Sequence, residues 1–220
     1  MTLTVLYRDR SLIVAVKPVG VLSEEHTSEP CMPALIREAI GSPDTYVGTV
    51  HRLDKNVGGL MVYALTPDMT GKLSNALAAE DAGKEYLAVL HGHPAEESGT
   101  LKDLLFHDRQ RNKTYVVKRN RNSVKEASLS YRVLKTAEER ALVSVKLHTG
   151  RTHQIRVQFA SRGLPLVGDG RYGGGSGDPA LFAYRLTFRH PKTGKTLTFE
   201  QLPAWAILDG ISLIDQENTL

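Results

Sequence analysis

The stretch Tyr46-Val47-Gly48-Thr49-Val50-His51-Arg52-Leu53-Asp54-Lys55-Asn56-Val57-Gly58-Gly59-Leu60-Met61-Val62-Tyr63-Ala64-Leu65 sets the pattern for the whole chain. Residues 46–50 and 60–65 each have strand length and strand composition, while 51–59 is polar and closes on two glycines. The expectation is two strands joined by a loop, with a carboxylate, Asp54, displayed between Arg52 and Lys55.

Upstream, 3–7 and 11–16 are rich in Leu, Val and Ile and stop before Pro18 and Gly20, which predicts further strands. Residues 33–40 predict a short helix, with Pro33 in the first turn, where its missing N–H costs nothing, and Gly41 at the C-cap. Downstream, Met69, Leu73, Ala76, Leu77 and Ala79 recur at three- and four-residue spacing, predicting an amphipathic helix over 67–80 closed by Gly83. Strand character resumes at 84–90. Leu129, Tyr131 and Val133, then Val143, Val145 and Leu147, alternate with polar neighbours on either side of a charged turn, the pattern of a hairpin with one buried face. Thr152 is placed to cap a helix running to Arg162 and ended by Gly163. The glycines of 168–177 predict a flexible turn, 182–188 with the turn 191–194 another hairpin, and 206–214 an apolar tail helix. No repeat or low-complexity linker interrupts this series, so the chain reads as a single α+β domain over 1–220, with a mixed, mainly antiparallel sheet and flanking helices.

Composition narrows the function classes. Over 220 residues, 41% hydrophobic and 24% charged content exclude the disordered class. A net charge of +4 and a pI near 9.1 tilt the partner list toward phosphate-bearing molecules. One cysteine, Cys31, rules out an intrachain disulfide and a multi-cysteine metal site, and it suits a reducing compartment such as the cytoplasm. No apolar run approaches the ~20 residues that span a bilayer, and residues 1–8 do not read as a secretion leader, so no membrane partner is expected. The eight histidines show no paired zinc spacing, and no metal is implied. Nothing in the pattern demands association, which makes monomer the expectation.

Three features could carry chemistry. The Arg52-Leu53-Asp54 segment offers a carboxylate that a neighbouring cation keeps ionised. In His148-Thr149-Gly150-Arg151-Thr152-His153-Gln154-Ile155-Arg156 a strand ends and a helix begins, placing Arg151 and Arg156 near free backbone N–H groups suited to an anion. Residues 109–125 hold Arg109, Arg111, Lys113, Lys118, Arg119, Arg121 and Lys125 without an acidic residue, interleaved with Asn, Ser, Thr and Tyr, a mixture that suits a phosphate backbone and its bases. Taken singly, each also fits a solvated loop or helix start.

In order along the chain, these pieces resemble the RluA-type pseudouridine synthase family. His51-Arg52-Leu53-Asp54-Lys55 with Gly59-Leu60 is similar to its signature loop, Lys84-Glu85-Tyr86-Leu87-Ala88 to its Lys-x-Tyr-x-Ala strand, and 150–156 to its second signature. Lys17-Pro18-Val19-Gly20, Pro165-Leu166-Val167-Gly168-Asp169 with Tyr172-Gly173, and Leu181-Phe182-Ala183 with Phe188 and His190-Pro191 extend the match over roughly 10–205. The resemblance implies the synthase catalytic fold with a central RNA-binding cleft, and isomerisation of uridine in ribosomal or transfer RNA without a cofactor. It makes Asp54 the catalytic carboxylate, Tyr86 the residue packed on the target base, and Arg151 the partner of Asp54. Arg52, Arg156 and the basic residues Arg109, Arg111, Lys113, Lys118 and Arg119 are the expected substrate contacts. Where the family's loop usually continues with an acidic residue and then Thr-Ser, this chain reads Asn56-Val57-Gly58. That departure is the one feature favouring the alternative, a catalytically silent RNA-binding protein on the same fold.

Overall fold

The computed structural model describes residues 2–208. Strands β1 (Val5–Arg8), β2 (Leu12–Lys17), β3 (Gly48–Thr49), β4 (Gly58–Ala64), β5 (Gly83–His91), β6 (Ser98–Asp108), β7 (Lys113–Val117), β8 (Val124–Ala137), β9 (Arg140–Leu147), β10 (Leu181–Arg189) and β11 (Thr196–Glu200) join in one sheet, with helices α1 (Met32–Ile40), α2 (Pro67–Ala78) and α3 (Gln154–Ala160) packed on it. The strand order is β1-β2-β4-β10-β5-β9-β8-β6-β7, with β11 on β10 and β3 on β4. This is an α+β architecture. The β4–β10 contact is parallel, and the other pairings between these strands are antiparallel. No helix among the described residues is long and apolar enough to cross a membrane.

The central strands are covered on both faces, which is why β2 and β4 read as unbroken apolar runs. Alternation then sorts their side chains. Leu12, Val14, Leu60 and Val62 pack with Met69, Leu73 and Leu77 of α2. Ile13, Ala15, Met61 and Tyr63 join Met32 and Ile36 of α1, Tyr86 of β5, and Ile155 and Phe159 of α3 on the opposite face. The strand expected over 46–50 shrinks to Gly48–Thr49, because residues 50–57 leave the sheet to form the Asp54 loop.

Other expectations shift for local reasons. Helix α1 ends as expected at Gly41, which takes the left-handed conformation (φ 72°). Helix α2 stops at Ala78 with an extended Ala79, and Gly83 opens β5 instead of closing the helix. Thr152 does not cap α3: His153 precedes the helix in a left-handed conformation, and Gln154 ties down the turn by accepting bonds from Thr149 Oγ1 and the Arg151 N–H. The glycines of 168–177 form a tight, internally bonded turn, with Gly168 N–H donating to Gly174 O at 2.7 Å and Gly174 N–H to Asp169 O at 2.8 Å. A β-carbon on Gly174 would lie 1.7 Å from Leu166 O. Of the tail helix expected over 206–214, the described part is a 3-10 turn, Ala206–Leu208, and the remainder lies outside the described residues.

Candidate active site

On the face carrying α1 and α3, a cleft of about 840 Å3 opens over the middle of the sheet. One wall comes from residues 22–26 and 49–57, the other from His107, Asn112 and 150–156, and the floor includes Lys84, Tyr86 and Leu181.

Asp54 sits on a loop that is clamped on both sides. Leu53 and Val57 are buried pegs, and Val57 N–H donates back to Asp54 O at 3.0 Å. Ser23 Oγ accepts the Leu53 N–H at 3.0 Å and donates to Leu53 O at 2.8 Å. Lys17, with no solvent exposure, donates to the carbonyls of Pro18, Val21 and Lys55, so an ammonium group is buried beneath the residue that follows Asp54. Burial lowers the Lys17 pKa to about 8, against the opposing pull of Asp54.

The loop's return into β4 depends on close backbone approach. Gly59 has φ 130°, and a β-carbon there would lie 2.4 Å from Ala183 N on β10. One at Gly58 would meet the Phe182 ring at 3.2 Å. The Val57-Gly58 departure therefore has a packing role in this chain: Val57 fills the core, and Gly58 makes room for Phe182.

The arginine paired with Asp54 is Arg156, not Arg151. Arg156 Nη1 donates to Asp54 Oδ2 at 2.8 Å, while its Nε and Nη2 form a fork on Asp169 at 2.7 and 2.8 Å. Arg156 lies in α3, whose residues 154–159 are all buried, and Asp169 comes from the glycine-rich turn. Burial works against the guanidinium charge, but the bonds to Asp169 and then Asp54 hold its pKa above the usual value. Arg151 precedes the helix, and its Nε turns back to Glu126 O at 2.9 Å. It still lines the cleft, without an ion pair to Asp54 among the described contacts.

Tyr86 lies on the floor, 7% exposed, its hydroxyl raised in pKa by burial and then by the charge of Asp54. His51, the first residue of the signature loop, accepts Val62 N–H on Nε2, and burial pushes its pKa down to about 3. Its role is to fasten the loop to β4. Arg52 is exposed at the rim and paired with Glu24 at 3.1 Å, and Lys55 is paired with Glu29. His153, Tyr172 and Asp169 were not singled out from sequence as site residues. Their segments stand out in sequence, 148–156 as an anion-binding helix start and 165–173 as part of the family match, but the site side chains read from them are the arginines, and nothing local in the sequence points His153, Asp169 and Tyr172 at Asp54.

The basic stretch 109–125 is part of the sheet. It supplies the β6–β7 turn, the edge strand β7 and the β7–β8 turn. Arg109, Arg111 and Lys113 lie beside Asn112, which reaches the cleft wall, and the Lys113 ammonium sits 5.4 Å from the centre of the Tyr172 ring. Lys118 and Arg119 occupy the opposite end of β7, roughly 16 Å away at ~3.3 Å per residue. The structure therefore splits the predicted patch into a cleft-side group and a distal group.

An open cleft lined by an ion-paired carboxylate, a buried tyrosine and several basic side chains is the arrangement of an enzyme site that takes a polar, anionic substrate, and comparison with known proteins supplies the family. Residues 11–161 match the RNA pseudouridylate synthase family. An uncharacterized RNA pseudouridine synthase of Bacillus subtilis (strain 168) is 31% identical over 211 residues, covering 91% of this chain and 69% of that protein. Ribosomal large subunit pseudouridine synthase D of Pseudomonas aeruginosa is 34% identical over 240 residues, covering 98% and 72%. Among solved structures, human RNA pseudouridylate synthase domain containing 4 superposes with a TM-score of 0.74 at 22% identity, covering 91% of this chain and 89% of that one. The chain belongs to the RNA pseudouridine synthase family, RluA type, a family of isomerases acting on RNA.

Proposed function

We propose that Asp54 is the catalytic carboxylate of a synthase that isomerises uridine in ribosomal or transfer RNA, acting as a monomeric single catalytic domain in the cytoplasm. The observation that carries this reading is the Asp54–Arg156 pair at 2.8 Å, which fixes the Asp54 carboxylate in the cleft that Tyr86 also lines. The reaction breaks the C1′–N1 bond, turns the uracil and joins C5 to C1′; the C5 hydrogen is lost and N1 gains a proton, so composition is unchanged. Asp54 acts at C1′, at C6, or by stabilising charge on a glycal route. To enter an 840 Å3 cleft the uridine leaves its stack, and Tyr86 offers it a ring to pack on. Arg52 on the rim is placed to take a phosphate in exchange for Glu24, and Arg151 to steady the flipped nucleotide. Arg109, Arg111 and Lys113 continue that track, and Lys118 and Arg119 extend it to the far end of β7. The relatives named for the large ribosomal subunit make ribosomal RNA the first substrate to try.

Because C5 must surrender its hydrogen, release of tritium from RNA labelled at uridine C5 reads the reaction directly. Wild type should release it from bulk ribosomal or transfer RNA and Asp54→Ala should not. RNA binding without release by wild type would leave the silent binding protein as the better account.

A further inference from the structure

A second chain of contacts ends on the same carboxylate. Thr114 N–H, on β7, donates to Tyr172 Oη at 2.8 Å; Tyr172 Oη lies 2.9 Å from His153 Nδ1; His153 Nε2 stands 3.6 Å from Asp54 Oδ2. The Thr114 N–H takes one lone pair of the tyrosine oxygen, and in the arrangement that lets the tyrosine hydroxyl donate to Nδ1 a neutral imidazole carries its single hydrogen on Nε2, toward Asp54; it is in this arrangement that His153 faces Asp54 as a donor. Burial favours the neutral ring by lowering its pKa, with Asp54 opposing and Arg156, Arg171 and His107 reinforcing. His153 also holds a left-handed backbone (φ 55°, ψ 24°) at the first step into α3, a conformation that a residue with a β-carbon keeps where its surroundings over-determine it.

Both approaches converge on one oxygen. Arg156 Nη1 and His153 Nε2 face Oδ2, and Oδ1 accepts no hydrogen bond from the described residues. Resting on the assignment of Asp54 as the catalytic carboxylate, we infer that His153, locked by Tyr172, is a positioning residue that with Arg156 fixes Oδ2 and leaves Oδ1 as the oxygen presented to the nucleotide. At 3.6 Å the contact is longer than a hydrogen bond, so His153 acts on Oδ2 as a close polar neighbour beside the direct bond from Arg156. Without it, the soft, two-fold carboxylate torsion is held from one side by Arg156 alone, and reactive geometries become rarer. Tyr86 and Arg52, assigned above to the base and the phosphate, are not members of this chain, and Tyr172→Phe keeps the ring on which Lys113 sits, so turnover should suffer more than binding.

The test uses tritium release at saturating and limiting RNA with four variants. His153→Gly keeps the left-handed backbone and removes the donor; His153→Gln returns an amide N–H near the place of Nε2; Tyr172→Phe keeps the ring, whose centre lies 5.1 Å from the Arg156 guanidinium, but loses the proton that sets the tautomer. Asp54→Asn tests the underlying assignment. The expected result is a kcat lower by about 10–100-fold for His153→Gly and about tenfold for Tyr172→Phe, each measured below its own melting temperature, KM within about twofold, a modestly lower melting temperature for Tyr172→Phe because the buried Thr114 N–H loses its acceptor, and recovery of most of the loss in His153→Gln. Wild-type kcat in folded His153→Gly or Tyr172→Phe overturns the inference, as does equal loss in His153→Gly and His153→Gln, which would mark a purely structural role. If His153→Gly does not fold, Tyr172→Phe decides alone. An active Asp54→Asn, or an inactive wild type, overturns the catalytic assignment and this inference with it.

Discussion

Arg156→Met and Arg151→Met, made side by side, separate the two arginines of the 150–156 segment. Arg156 donates three charge-assisted bonds, at 2.7, 2.8 and 2.8 Å, to two carboxylates, and Asp169 is 1% exposed. Removing the guanidinium leaves Asp169 a buried anion without its fork, and breaking a buried pair from one side costs about 3–5 kcal/mol. For a chain of this size that lowers Tm by roughly 6–20 °C, at ~2–4 °C per kcal/mol. It also frees Asp54 to rotate away from the floor. Calorimetry or thermal melting followed by circular dichroism reads the first effect, and tritium release below the lowered Tm reads the second, where a loss of at least about 100-fold is expected. Arg156→Lys should behave much like Arg156→Met, since an ammonium cannot bridge both carboxylates with fork geometry. Arg151→Met gives up one bond to a backbone carbonyl, so stability should fall by no more than about 1 kcal/mol, with Asp54 still anchored. A stable, active Arg156→Met, or an Arg151→Met that loses stability and turnover as fully as Arg156→Met is expected to, would refute the reasoning.

Three further outcomes are expected. Lys17→Met leaves three loop carbonyls without their donor and should cost at least about 2 kcal/mol in urea titration; because the folded Lys17 pKa, about 8, lies below the unfolded value of ~10.4, the unfolded chain binds the extra proton between these values, so wild type should gain stability relative to Lys17→Met as pH rises from 8 to 10. The Asp9 carboxyl is held well below the usual carboxylate range because backbone N–H groups of Ser11 and Leu12, then His190, bond it more than burial opposes them; its contribution is full above the unfolded value of ~3.9 and is lost as pH falls through the lower folded value, so Asp9→Asn should flatten that acid limb of the stability profile. Neutralising Lys118 and Arg119 together should lower the slope of log affinity against log salt by about 0.7 for each phosphate contact removed on single-stranded RNA, leaving tritium release at saturating RNA near wild type; an unchanged slope would take the far end of β7 out of the RNA track.

The parts of this molecule that were legible in sequence are the parts built from neighbours. The Asp54 loop, the α1 C-cap at Gly41 and the β8–β9 hairpin each follow from a pattern within about twenty residues. The Asp54 partner could not be read that way. Two arginines stand five positions apart, and the choice between them is made by the left-handed turn at His153 and by the direction in which buried α3 aims Arg156, which reaches Asp169 and also Asp54, 102 residues away in sequence. Edge strand β7 was hidden for a different reason: an edge tolerates charge, so Lys113, Tyr115 and their neighbours carry no clean alternation. Gly168–Gly177 looked flexible because glycine composition is the same in a loose linker and in a turn so tight that a β-carbon has no room. What distinguishes them here is backbone bonding between Gly168, Asp169 and Gly174, which places Asp169 and Tyr172 under the site.

The most direct test of Asp54-centred isomerisation is to count product against released hydrogen. Ribosomal RNA tritiated at uridine C5 would be incubated with wild type and with Asp54→Asn, then digested to nucleosides. Pseudouridine would be quantified by chromatography and mass spectrometry beside the released tritium. The account predicts one pseudouridine per tritium released by wild type and neither from Asp54→Asn with RNA binding retained; pseudouridine formed at the wild-type rate by Asp54→Asn would contradict it.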